Sequence, residues 1–110
     1  MYINKISLKL DEIGMSRKLK GYKFVRASVS DIINNNFFVE IGIVYENVSE
    51  IFCTNKQNVE RNIRYAIEKT WEKGNIENIF KLFGYTVDEE KGKPTNREFL
   101  FMIASAVTYL

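Results

Sequence analysis

Between Asn55 and Gly74 the chain sets out a row of side chains suited to reading nucleic acid. Arg61 can make a bidentate contact to guanine, Gln57 and Asn58 can do the same to adenine, and Glu60 can accept from the cytosine amino group. Asn62 lies among them. All fall in the first turns of one candidate helix, the part that reaches base edges in helix-turn-helix readers. Lys56, Arg64, Tyr65 and Lys69 are suited to phosphates. Taken singly, each of these residues also fits a solvated helix face, on which Arg64 and Glu68 pair one turn apart. Composition removes other chemistries. The chain has no His and one Cys, Cys53. That excludes Ser-His-Asp and Cys-His nucleophiles, His-ligated zinc and an internal disulfide. No Gly-rich phosphate loop is present, and the Asp88-Glu89-Glu90 triplet reads as solvated loop carboxylates. No enzyme, cofactor or metal is expected, and Cys53 reads as a small buried hydrophobe.

The elements that must position these residues are helical. At 110 residues, with 45% hydrophobic and 27% charged residues, the chain suits one all-α domain of about six helices spanning residues 1–110. Residues 1–10 form a short lead-in. Lys5 and Lys9 interrupt any signal-peptide core, no apolar run reaches the roughly 20 residues of a membrane span, and a cytoplasmic protein is expected. Leu19, Tyr22, Val25, Val29, Ile32 and Ile33 recur at steps of three and four, which predicts a helix over 17–34. The run from Phe37 to Tyr45 suits a strand or a buried helix equally. A short helix over 47–53 turns Val48, Ile51 and Phe52 inward. The helix over 56–73, capped by Thr54 or Asn55, carries the stripe Val59, Ile63, Ala66, Ile67 and Trp71 and stops at Gly74. Asn75 caps a next helix with Ile76, Ile79, Phe80, Leu82 and Phe83 inside, ended by Gly84. Thr95 or Asn96 caps a last apolar helix over 96–110, whose run from Phe99 to Leu110 reads as core packing with a dimer face as the alternative.

Charge is uneven. Net charge is only +2, but residues 56–73 hold five cations against three carboxylates, while 35–55 hold only Glu40, Glu46 and Glu50. A second basic cluster, Arg17, Lys18, Lys20, Lys23 and Arg26, lies near the start. Two basic patches on a nearly neutral chain fit a phosphate-contacting face. The helices over 47–53 and 55–73, joined by a short turn, have the contacts of a helix-turn-helix: Val48 and Phe52 on the first, Val59 and Ile63 facing back, and small Ser49 where they approach. Cys53 stands where a tight turn favours Gly. An ordinary αα-hairpin has the same pattern.

Four blocks carry a family resemblance. They are Glu12-Ile13-Gly14 with Lys20-Gly21-Tyr22; Val59-Glu60-Arg61-Asn62-Ile63-Arg64-Tyr65-Ala66-Ile67-Glu68 with Trp71 and Gly74-Asn75-Ile76; Leu82-Phe83-Gly84-Tyr85-Thr86-Val87; and Lys93-Pro94-Thr95-Asn96 with Glu98-Phe99. In order and spacing they resemble the C-terminal effector domain of the stage zero sporulation protein A family, from about residue 8 to the end. The resemblance implies about six helices around a helix-turn-helix, the run 37–45 as helix, and sequence-specific binding of a promoter box in double-stranded DNA by the helix over 55–73. Glu60 and Arg61 match base-reading positions, Arg64 a DNA-contacting Arg, and Lys93 a backbone-contacting loop. On this reading Lys56, Arg64, Tyr65, Lys93 and Arg97 hold phosphates, and Asn58 and Gln57 join the base readers. Tandem head-to-tail copies or a homodimer on DNA, and RNA polymerase as a further partner, are implied.

Departures from the family pattern bear on specificity. Gln57-Asn58 stands where the family has Ser-Arg, and Asn62 and Tyr65 stand where it has Ala and His. Asn58 predicts a base preference moved from guanine towards adenine. The family's full regulator carries a phosphoacceptor receiver domain, whereas this chain has about ten residues before the match, and its initial Met favours a stand-alone form. The alternative function is an interaction module that modulates a full-length regulator or the transcription machinery without specific DNA binding.

Overall fold

Apolar side chains at helical spacing, punctuated by Asn, Gly and Thr caps, fold the chain into helices packed on one core. The computed structural model describes residues 2–84 and 92–109. Among them are α1 (Ile3–Ile13), α2 (Gly21–Asn34), α3 (Ile41–Ile51), α4 (Lys56–Lys73), α5 (Ile76–Phe83) and α6 (Asn96–Tyr109), with no strand. The architecture is all-α, as expected. The Tyr85-Thr86-Val87 block and the Asp88-Glu89-Glu90 triplet lie outside the described residues.

The lead-in belongs to a helix. Ile6, Leu10 and Ile13 repeat at steps of four and three and are fully buried in the core with Val25, Ile32 and Ile103. Each such burial is worth about 1.5–3 kcal/mol. The end of α1 is tied to the start of α5, because Asn75 N–H donates to the Ile13 carbonyl at 3.0 Å and Asn78 Nδ2 to the Glu12 carbonyl at 2.7 Å.

α2 begins at Gly21, four residues later than the periodicity predicts, since Arg17–Lys20 form turns. Gly21 is required by contact: a Cβ there would stand 2.1 Å from the Asn62 carbonyl oxygen of α4. The run 37–45 is helical only from Ile41. Asn36 and Phe37 take positive φ (52° and 68°), with Phe37 N–H closing on the Ile32 carbonyl at 2.9 Å, and Glu40 is extended. That turn ends α2 and places the Phe37 ring against Phe101 and Tyr109. The first helix of the expected pair is therefore 41–51, longer and earlier than 47–53.

Three burial expectations are corrected. Ile51, the last residue of α3, is 63% exposed, while Val48 is buried. Ile76 and Phe80 are half-exposed; α5 has two turns and turns only Ile79 fully inward. Cys53 is exposed, since its left-handed conformation (φ 53°) turns the side chain out of the core. Phe99, Leu100, Ile103, Ala104 and Val107 are core residues, so the C-terminal run packs inward. The α6 cap is Thr95, in a reciprocal capping box: Glu98 N–H donates to Thr95 Oγ1 at 3.1 Å and Thr95 N–H to Glu98 Oε1 at 2.8 Å. These bonds hold the Glu98 carboxyl below its ordinary pKa.

Candidate nucleic-acid interface

α3, the turn 52–55 and α4 form the expected pair. Val48 on the first helix and Val59 and Ile63 on the second are fully buried, and Ser49 Oγ is satisfied by the Glu46 carbonyl. The turn closes through Cys53 N–H to Glu50 and Thr54 N–H to Ser49. Asn55, extended, caps α4 by accepting from Asn58 N–H at 2.8 Å.

With Val59, Ile63, Ala66, Ile67 and Trp71 turned into the core, the opposite face of α4 looks outward. Gln57, Glu60, Arg61 and Tyr65 are exposed on it. Asn58 is not free. Its Nδ2 donates to Thr54 Oγ1 at 3.0 Å, while its Oδ1 accepts from Asn62 Nδ2 at 2.9 Å and from Arg61 Nη2 at 3.2 Å. The polar chain from Thr54 to Arg61 was not legible in residue types, because each of these groups is equally apt for solvent. Lys56 is drawn to Glu46 on α3 at 3.6 Å.

A groove of about 650 Å³ runs beside this face between α3, α4 and the start of α6. It brings Glu60, Arg61, Arg64, Tyr65 and Arg97 together, with Glu68, Tyr45 and Asn96 along its wall. Arg64 Nη1 donates to the Pro94 carbonyl at 2.8 Å and its Nε faces Glu68 Oε2 at 3.5 Å. It thus anchors the loop that carries exposed Lys93. Arg97 lies over the Phe101 ring, its guanidinium carbon 4.4 Å from the centroid, and Lys69 lies over Tyr65 at 5.5 Å. Asn96, which sequence reading treated only as a cap, is a strut: Nδ2 donates to Tyr45 Oη at 3.1 Å and to the Glu60 carbonyl at 3.2 Å. Burial pushes the Tyr45 hydroxyl above its ordinary pKa.

Of the expected residues, Lys56, Gln57 and Asn58 stand at the α4 N-terminus, Glu60, Arg61, Arg64, Tyr65 and Arg97 line the groove, and Lys93 stands on the loop beside it. Three cations against two carboxylates line the groove, a surplus that suits a polyanion. Among the described residues no helix is long and apolar enough to cross a membrane.

The family model described as sporulation initiation factor Spo0A C terminal matches residues 6–107, nearly the whole chain. Its extent runs from α1 through α6 and takes in every residue of the face just described. The chain belongs to this family of DNA-binding effector domains of sporulation transcription regulation.

Proposed function

We propose that this domain binds a promoter box in double-stranded DNA sequence-specifically, with α4 in the major groove. The observation that carries this is the exposure of Arg61 and Glu60 on a helix-turn-helix whose flank is the cationic groove of Arg64 and Arg97. Arg61 reads guanine and Glu60 accepts from cytosine, with Gln57 beside them. Lys56, Tyr65, Lys93 and Arg97 meet phosphates, and Arg64 acts there while holding the Pro94 loop.

Asn58 contributes in a restricted way. Its oxygen is already shared by Arg61 and Asn62, and one amide proton goes to Thr54. One N–H remains, enough for a purine N7 and not for a bidentate adenine contact. Asn58 thus orients Arg61 and discriminates weakly between the purines. Binding as tandem copies or as a homodimer, and contact with RNA polymerase, belong to the same reading by analogy with the family.

The test is fluorescence anisotropy of labelled duplexes: the family's box, a variant substituted opposite Asn58, and a scrambled control, each at two salt concentrations. Arg61→Ala is expected to cost about 1–3 kcal/mol on the preferred duplex and to relax one base preference. Lys93→Ala is expected to weaken all three alike and to lower the salt slope by about 1. An Arg61→Ala protein that binds the preferred duplex as the parent does removes the readout assignment. Equal weak binding to all three duplexes favours the interaction module.

A further inference from the structure

The basic cluster Arg17, Lys18, Lys20, Lys23 and Arg26 is continuous in sequence, but the fold divides it. Arg17 is spent on α1, with Nη2 2.8 Å from Asp11 Oδ2 and Nε 3.2 Å from Oδ1. Arg26 turns towards Ser7 Oγ at 3.4 Å and the Tyr22 ring. Lys20 and Lys23 go elsewhere. Lys20 is exposed and immediately precedes Gly21, the residue seated on the Asn62 carbonyl of α4. Lys23 is exposed, its ammonium 5.1 Å from the centroid of Phe52, the residue that ends α3 and opens the turn. Neither lysine makes an ion pair among the described residues.

Their side of α4 is determined by contacts. Asn62 meets α2, whereas Arg64 holds the Pro94 loop. Residues two apart on a helix, such as Asn62 and Arg64, are separated by about 200° around its axis, so these neighbours lie on opposite flanks, with Arg61 and Tyr65 outward between them. A helix with side chains is about 10–12 Å across and the major groove is about 12 Å wide. A helix seated there fills the groove, and cations on its two flanks face the phosphates of different strands.

We infer that Lys20 and Lys23 form a second backbone-contacting flank, so that α4 is straddled by Lys93 and Arg97 on one side and this pair on the other. The partner is the sugar-phosphate backbone of the DNA strand on the α2 side. The inference rests on the DNA-binding reading, and its test separates the two. Lys20→Gln/Lys23→Gln keeps polar, helix-compatible side chains at both positions while removing both charges. Anisotropy titrations over a salt series, on the family's box and the scrambled duplex, are expected to show a slope lower by about 1.8, at about 0.9 per phosphate. The ratio of affinities for the two duplexes is expected to stay unchanged. Phosphate-ethylation interference is expected to lose its signal on one strand only. Arg17→Gln, which removes one charge from the same sequence cluster, is expected to leave the slope alone. An unchanged slope in the double variant, or a fall of about 0.9 with Arg17→Gln, overturns the second flank. Parent protein that binds both duplexes equally, with the slope still lowered by the double variant, supports the flank and overturns base readout. Parent protein that binds neither overturns both.

Discussion

The two halves of α4 share one buried stripe but add different physics to it. The C-terminal half is dry. Trp71, 1% exposed, stands edge-on to Phe83 at 5.1 Å and to Phe99 at 6.1 Å, and the last two rings stack at 5.4 Å. The N-terminal half is seated on the core by Val59 and Ile63 and adds a set of hydrogen bonds: Asn55 at the cap, Thr54 through Asn58 to Arg61, Asn96 to the Glu60 carbonyl, and Arg64 to Pro94. Aromatic packing buries a large area and excludes water, so it sets where the helix lies. The polar bonds are directional and partly exposed, so they contribute little to stability but aim side chains. Stability and recognition are thereby separated along one helix.

Substitutions in the two halves should then behave differently. The largest effect is expected from Trp71→Ala, which empties the aromatic cluster. A loss of about 3–5 kcal/mol in urea unfolding is expected, enough to unfold much of a marginally stable domain. A loss under about 1 kcal/mol would mean that the cluster is not the anchor of α4. Between the halves, Gly21→Ala forces a Cβ onto the Asn62 carbonyl, which is backbone and cannot swing aside. Unfolding free energy should fall by about 1–3 kcal/mol. Because α2 is displaced from α4, DNA affinity should fall as well. Stability lost with affinity intact would show that the α2 crossing supports folding alone.

Legibility followed the same division. The buried stripe of α4 was readable because Val59, Ile63, Ala66, Ile67 and Trp71 recur at helical spacing, with Thr70 the polar residue buried among them, and Asn55 and Gly74 bound it as expected. In α5 the same residue types misled. Ile76 and Phe80 are as apolar as Ile79, and an eight-residue helix of two turns, lying mainly against α1 and α6, buries one narrow stripe. In α1 the spacing of Ile6, Leu10 and Ile13 was present, but intervening lysines read as a lead-in. At the interface, residue chemistry pointed to Arg61 and Glu60 and the family resemblance to Lys93, and all three are exposed. The contact of Arg64 with Pro94 joins residues 30 apart, and that of Asn96 with Tyr45 joins residues 51 apart. Neither leaves a local signature. The Thr54–Asn58–Arg61 chain is local, yet it competes with solvent at every step, so residue type alone does not reveal it.

The smallest effect is expected at the turn that feeds the polar half. Cys53 holds φ 53°, a left-handed conformation that costs an L side chain about 1–2 kcal/mol. Its side chain is exposed and contributes no core packing. Cys53→Gly removes that strain, and the added chain entropy of Gly in the unfolded state takes back about 0.5–1 kcal/mol. A net gain of about 0.5–1 kcal/mol is expected, seen as a rise of a few degrees in thermal midpoint. DNA affinity should not change, because the turn bonds from Thr54 N–H to the Ser49 carbonyl and from Asn58 N–H to Asn55 Oδ1 are backbone and cap contacts that Gly leaves in place. A gain in stability with a loss of affinity would break the separation proposed for α4. It would mean that strain in the turn helps hold Thr54 against Asn58, and through it aims Arg61.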